Sequence, residues 1–115
     1  MTIHQTDVAI VGAGPVGLFA VFELGMVGLK CHVLDALEAA GGQCIALYPE
    51  KPIYDIPGYP SIDAQQLIDK LAEQAAPFDP AYHLGSPVTR LEERPNGRFL
   101  LENTAGVQVE AGAVI

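Results

Sequence analysis

Positive charge is scarce in this chain. Lysine and arginine together number six against fourteen aspartates and glutamates, for a formal net charge of −8. Nucleic acid and anionic membrane surfaces are gripped through Lys and Arg, so neither is expected as a partner. The shortage does not exclude a nucleotide cofactor, because backbone N–H groups hold phosphate without a cationic side chain. Cysteine is scarce as well. Cys31 and Cys44 form no Cys-x-x-Cys and no zinc-ligand spacing, and they read as two reduced thiols of a cytosolic protein. His4, His32 and His83 are scattered without metal-like spacing. Each reads as structural or solvated, and no metal site is expected. A long apolar run is missing too. The uncharged stretch between Asp7 and Glu23 is fifteen residues, whereas a bilayer span needs about 20. No Lys or Arg precedes it as a signal peptide requires, and Gly12, Gly14, Pro15 and Gly17 interrupt it. The expectation is a cytoplasmic protein.

What is present is enough to build a core. Half of the 115 residues are hydrophobic and the mean hydropathy is +0.26, which argues against disorder and fits one small domain or part of a larger one. Asp7 to Val11 is a short apolar run ending at Gly12, as in a parallel strand covered on both faces. Residues 15–27 read as a helix with an apolar stripe of Leu18, Val21, Phe22 and Leu24. Residues 29–34 read as a second strand that closes at Asp35. Strand, helix and strand make one βαβ unit. Residues 41–62 are rich in Gly and Pro, with Tyr48, Tyr54 and Tyr59 among them, and read as a long functional loop. Asp63 reads as the cap of a helix carrying Leu67, Ile68, Leu71, Ala72 and Ala75, stopped by Pro77. From Val88 onward the pattern is short strands with turns at Pro95-Asn96-Gly97 and Thr104-Ala105-Gly106. Ala113-Val114-Ile115 reads as the opening of a further apolar strand.

The motif that carries chemistry is Gly12-Ala13-Gly14-Pro15-Val16-Gly17, a match to G-x-G-x-x-G. It follows a predicted strand, opens a predicted helix, and is followed by an acid, Asp35, eighteen residues after Gly17. Gly12 permits the sharp turn out of the strand. Gly14 lets the backbone approach a pyrophosphate, and Gly17 lets the helix pack closely on the strand. Pro15 loses nothing at a first-turn position, where an N–H has no intrahelical partner. The helix end offers amides and partial positive charge to a diphosphate. Asp35 can accept from a ribose hydroxyl pair, and its charge disfavours a 2′-phosphate here. The fingerprint alone does not separate FAD from NAD.

Gly41-Gly42-Gln43-Cys44-Ile45-Ala46-Leu47-Tyr48-Pro49-Glu50-Lys51, followed by Ile53-Tyr54-Asp55-Ile56-Pro57-Gly58, resembles the ferredoxin–NADP reductases of the thioredoxin-reductase-like type. The resemblance runs over essentially all 115 residues. It implies an α/β Rossmann-like FAD-binding domain, with a parallel sheet and a β-meander, across residues 1–115. It implies FAD as the dinucleotide, NADPH as co-substrate, ferredoxin as electron acceptor, and a homodimer. Under it Asp35 would bind the adenosine ribose, and Gly42 and Gln43 would lie near the flavin or its ribityl chain. Tyr48 would stack on the isoalloxazine, and Val88 would meet the adenine through its backbone. The flavin carries the redox chemistry, so no catalytic side chain is assigned.

Two features depart from that family. The chain stops where the NADP domain is expected to begin, so it reads as truncated, and alone it is expected to be inactive. It is also acidic, as ferredoxins are, which leaves Lys51, Lys70, Arg90, Arg94 and Arg98 as candidates for a docking patch. Two alternatives stand beside the reductase reading: a fragment of a thioredoxin-reductase-type disulfide reductase, and a non-catalytic FAD-binding module.

Overall fold

The computed structural model describes residues 2–42 and 50–115. Among the described residues, eight strands and two longer helices follow in chain order: β1 (Ile3–Val11), α1 (Pro15–Met26), β2 (Cys31–Leu34), β3 (Pro52–Ile53), β4 (Ile62–Asp63), α2 (Ala64–Ala75), β5 (Ala81–His83), β6 (Val88–Glu93), β7 (Phe99–Asn103) and β8 (Gln108–Val114). A short 3-10 turn, Ala76–Phe78, extends α2.

Six strands form one sheet in the order β5-β2-β1-β8-β7-β6. β5, β2, β1 and β8 run parallel, with Val8 opposite Cys31 on one side of β1 and opposite Ala113 on the other. β6, β7 and β8 form an antiparallel meander. The apolar run of β1 is explained by this central place. Val8, Ala9 and Ile10 are all buried, as expected of a strand covered on both faces.

Two apolar clusters seal the sheet. In the first, Val8, Ile10, Cys31 and Val33 meet Val21 of α1 and Ala75 of α2. In the second, Ala9 and Leu34 meet Leu101, Val109 and Ala111 of the meander. Phe22 on α1 and Phe78 form a T-shaped ring pair, with centroids 5.9 Å apart. At the expected turns, Gly97 donates to Arg94 O (2.9 Å) and Gly106 to Asn103 O (3.0 Å). The buried Asn103 carboxamide also accepts from Ala105 and Val107.

Several local expectations change. β1 starts at Ile3 rather than Asp7, because Ile3 to Thr6 pair with β8, a contact distant in sequence. β2 starts at Cys31 rather than Leu29, and α1 stops at Met26. β5 was not expected; three residues carry too little pattern to announce a strand. Ala113 to Ile115 do not open a strand. Ala113 and Val114 belong to β8, which begins at Gln108, and Ile115 carries on the pairing with β1, its N–H donating to Ala9 O (2.9 Å) and Val11 N–H donating to its carbonyl (2.8 Å). The described part of the long loop holds a small ribbon, β3 against β4, and a bridge between Ile56 and Tyr59. Among the described residues no helix is long and apolar enough to cross a membrane.

Candidate functional site

At the end of β1 the chain turns through Gly12, whose φ of 113° is open to glycine and costly for other residues. Gly12 N–H donates to Leu34 O (2.7 Å), tying the turn to the end of β2. Gly14 is the N-cap of α1 and Pro15 its first residue. The first intrahelical bond runs from Leu18 N–H to Gly14 O (3.0 Å). The amides of Gly14, Val16 and Gly17 therefore precede any intrahelical acceptor. No side chain caps this end, and its first turn holds no acid. That leaves amide donors and the positive end of the helix dipole for an anion.

Gly17 is where α1 touches the turn. A Cβ built there would run into the carbonyl oxygen of Gly12 and press on Ile10, so glycine is the residue that allows the helix to sit so close. A second backbone loop closes over the first. Gly41 N–H donates to Ala13 O (2.7 Å). Gly42, at φ 63°, approaches so near that a Cβ on it would stand 3.2 Å from Gly14 Cα. Gly14 itself has room: among the described residues a Cβ there would meet nothing nearer than Gly42 Cα, at 4.0 Å. The crevice is thus walled by backbone from two glycine segments, one before α1 and one at residues 41–42.

Asp35 follows β2 at the same edge. Its Oδ2 accepts from Ala13 N–H (2.6 Å) and its Oδ1 from Leu37 N–H (2.9 Å). Its own N–H donates to His83 O, and its carbonyl accepts from Ser86 N–H (3.3 Å). Val88 comes two residues after Ser86, at the start of β6, and its side chain packs on the second apolar cluster. The structure thus brings Gly12, Gly14, Pro15, Gly17, Asp35 and Gly42 into one neighbourhood, with Val88 linked to it through Ser86. Gln43, Cys44 and Tyr48 lie outside the described residues. Beside the elbow a groove of about 930 Å³ runs between α1 and α2, with Val16, Phe19, Ile56, Tyr59 and Leu71 among its walls and Lys70 at its edge.

Several residues take on partners that sequence reading did not reveal. His32 Nδ1 and His83 Nε2 share a hydrogen bond at 2.9 Å, and the His4 ring lies 5.4 and 5.2 Å from theirs. Burial, then the charges of neighbouring imidazoles, holds His32 and His83 below the usual histidine range. Strand pairing creates this contact, and spacing along the chain carries no signal of it. Among the described residues no group of three donors is placed to hold a metal ion. Cys31 is buried on β2, and burial, helped by the Asp7 charge, raises its thiol pKa. Of the cationic candidates, Arg98 is bound to Glu110 and to Thr6 O, and Arg90 pairs with Glu92. Lys70 lies 6.0 Å from the centre of the Tyr59 ring.

Known proteins place the site in context. Residues 5–46 match the family model described as "FAD binding domain". Over its full 115 residues the chain is 61% identical to a protein of Paramagnetospirillum magneticum named ferredoxin–NADP reductase, covering 34% of that relative. A protein of the same name from Rickettsia rickettsii is 65% identical over 92 residues, which is 80% of this chain and 27% of the relative. Among solved structures, a thioredoxin reductase of T. acidophilum superposes with a TM-score of 0.81 at 26% identity, over 96% of this chain and 34% of that one. Cyclohexanone monooxygenase shares the fold at 21% identity and a TM-score of 0.76, over 98% of this chain and 25% of that one. The chain spans about a third of the length of the curated relatives it matches.

Proposed function

We propose that this chain, the counterpart of the amino-terminal third of the ferredoxin–NADP reductases, is the FAD-holding part of an oxidoreductase that passes electrons from NADPH to ferredoxin. FAD is the dinucleotide of the site. The observation that carries the reading is the open end of α1: three amides with no cap, a bare Gly14, and the Asp35 carboxylate at the same edge. The cradle fits a diphosphate, because among the described residues a Cβ at Gly14 would meet only Gly42 Cα, at 4.0 Å.

When bound, FAD supplies the redox chemistry that amino-acid side chains lack. The chain's own work is to hold and orient it. The Gly14, Val16 and Gly17 amides donate to the diphosphate. Asp35 accepts from the adenosine ribose, and the Val88 backbone meets the adenine. Gln43 and Tyr48 flank the flavin in this reading. No side chain is assigned a proton transfer.

The thioredoxin-reductase alternative is less well supported. The solved thioredoxin reductase is 26% identical to this chain, against 61% and 65% for the two proteins named ferredoxin–NADP reductase. In the reductase reading, residues 1–115 form the first segment of the FAD domain. The NADPH and ferredoxin contacts fall to segments matching the other two thirds of the relatives, in a homodimer acting in the cytoplasm.

The test is FAD titration of the purified chain, followed by flavin fluorescence and by cofactor retained after gel filtration. Wild type is expected to bind FAD in preference to NAD. Gly14→Val is expected to keep the fold and lose the flavin. Preference for NAD, or FAD held equally tightly by Gly14→Val, overturns the reading.

A further inference from the structure

The geometry points to a second task for Asp35, as a positioning residue that holds the phosphate-binding elbow in shape before any nucleotide arrives. This deepens the FAD reading and rests on it for the identity of the ligand. In that reading Asp35 serves the ribose, through lone pairs facing outward. The structure shows its carboxylate already at work inward. Oδ2 takes the amide of Ala13, between the first two glycines of the motif, at 2.6 Å. Oδ1 takes the amide of Leu37 at 2.9 Å, which bends the chain after β2 and sets the carboxylate's orientation.

Three bonds converge on Gly12 and Ala13. Gly12 N–H is held by Leu34 O, Ala13 N–H by Asp35 Oδ2, and Ala13 O by Gly41 N–H. Two of these are backbone to backbone and tolerate any side chain. The third depends on Asp35 alone, and it is a hydrogen bond to an ionised acceptor, the stronger kind. It also settles which amides serve the ligand. Ala13 N–H is spent within the protein, leaving Gly14, Val16 and Gly17, whose alignment depends on the clamped turn. Each carboxylate oxygen accepts one amide and keeps further acceptor capacity for a ribose hydroxyl, so the two tasks coexist. An asparagine could not perform both, since its NH2 would face one of the two backbone donors.

The deciding experiment is residue-resolved amide hydrogen exchange on the ligand-free 115-residue chain, comparing wild type with Asp35→Ala and Asp35→Asn. In Asp35→Ala the Ala13 and Leu37 amides are expected to exchange about tenfold faster or more. Gln66, held by Asp63 on the other helix, is expected to keep its rate. Asp35→Asn is expected to release one of the pair. Unchanged exchange at Ala13, or an equal acceleration at Gln66, overturns the proposal. A second arm uses FMN, which has the flavin and a phosphate but no adenosine ribose. A clamp predicts that Asp35→Ala weakens FMN as well as FAD, and a residue acting only through the ribose weakens FAD alone. If wild type binds neither flavin while Ala13 still responds, the FAD reading fails and the clamp stands.

Discussion

The two helices end at their amino termini in opposite ways. α2 begins at Asp63, whose carboxylate accepts from Gln66 N–H at 2.7 Å, so the helix satisfies one of its exposed donors from within the chain. α1 begins at Gly14 and Pro15, with no capping side chain. A capping side chain is commonly worth about 1 kcal/mol relative to alanine but only a few tenths relative to glycine, so α1 forgoes little by starting at Gly14. The two N-cap residues share nearly the same extended backbone, with φ −78° at Gly14 and −79° at Asp63. In the FAD reading, one side chain therefore decides whether a helix end is a structural joint or a receptor for an anion.

The comparison can be broken most severely at Gly17. Gly17→Ala places a Cβ against the carbonyl of Gly12, a residue whose N–H is tied to Leu34 O at the end of β2. A loss of about 3 kcal/mol in urea unfolding is expected, the upper end for overpacking, together with loss of FAD. A midpoint within error of wild type would mean that α1 can slide and does not need the close approach.

The comparison is sharpened by making α1 resemble α2. Gly14→Asp supplies a cap at a backbone already in capping conformation, so the ligand-free fold is expected to gain a few tenths of a kcal/mol. FAD affinity is expected to fall about 100-fold or more, because the carboxylate occupies and repels the diphosphate's place. Stability and affinity then move in opposite directions, which simple damage to the fold does not produce. The reciprocal change, Asp63→Ala, is expected to cost about 1 kcal/mol of stability and leave FAD affinity unaltered. A fall in affinity there would show that the two helix ends are coupled.

The contrast also separates what was legible in the sequence from what was not. Both helix starts could be read, because caps and glycine elbows act over three or four residues. So could β1, whose burial on both faces leaves an unbroken apolar run. The meander turns announced themselves through Pro95-Asn96-Gly97 and Gly106. What escaped depends on partners far along the chain. Ile3 to Thr6 are strand because β8 returns beside them. β5 is three residues and exists by pairing with β2. At the site, the glycines and Asp35 were visible as a motif. The inward hold of Asp35 on Ala13 and the contact of Gly42 with Gly14 were not, since spacing reports neither the direction of a carboxylate nor which backbones touch.

The smallest effect expected lies at the histidines, and it too distinguishes the two helix ends. His32 sits on β2 and His83 on β5, whose carbonyl receives the Asp35 amide. Burial and neighbouring imidazole charge lower both pKa values from the ordinary 6.5. As pH falls through 6.5, the unfolded chain therefore takes up protons before the folded one. The contribution of the neutral pair is complete above pH 6.5, is lost below it, and stops changing once the pH lies beneath the folded-state values. Both rings keep part of their surface in water, so the loss should be modest, and replacing both with glutamine should flatten it. Below pH 6.5 the β2–β5 amides near Asp35 should exchange faster than those of α2 after correction for intrinsic rates. If α2 loosens in step, acid acts on the fold as a whole, and the elbow holds no private weakness.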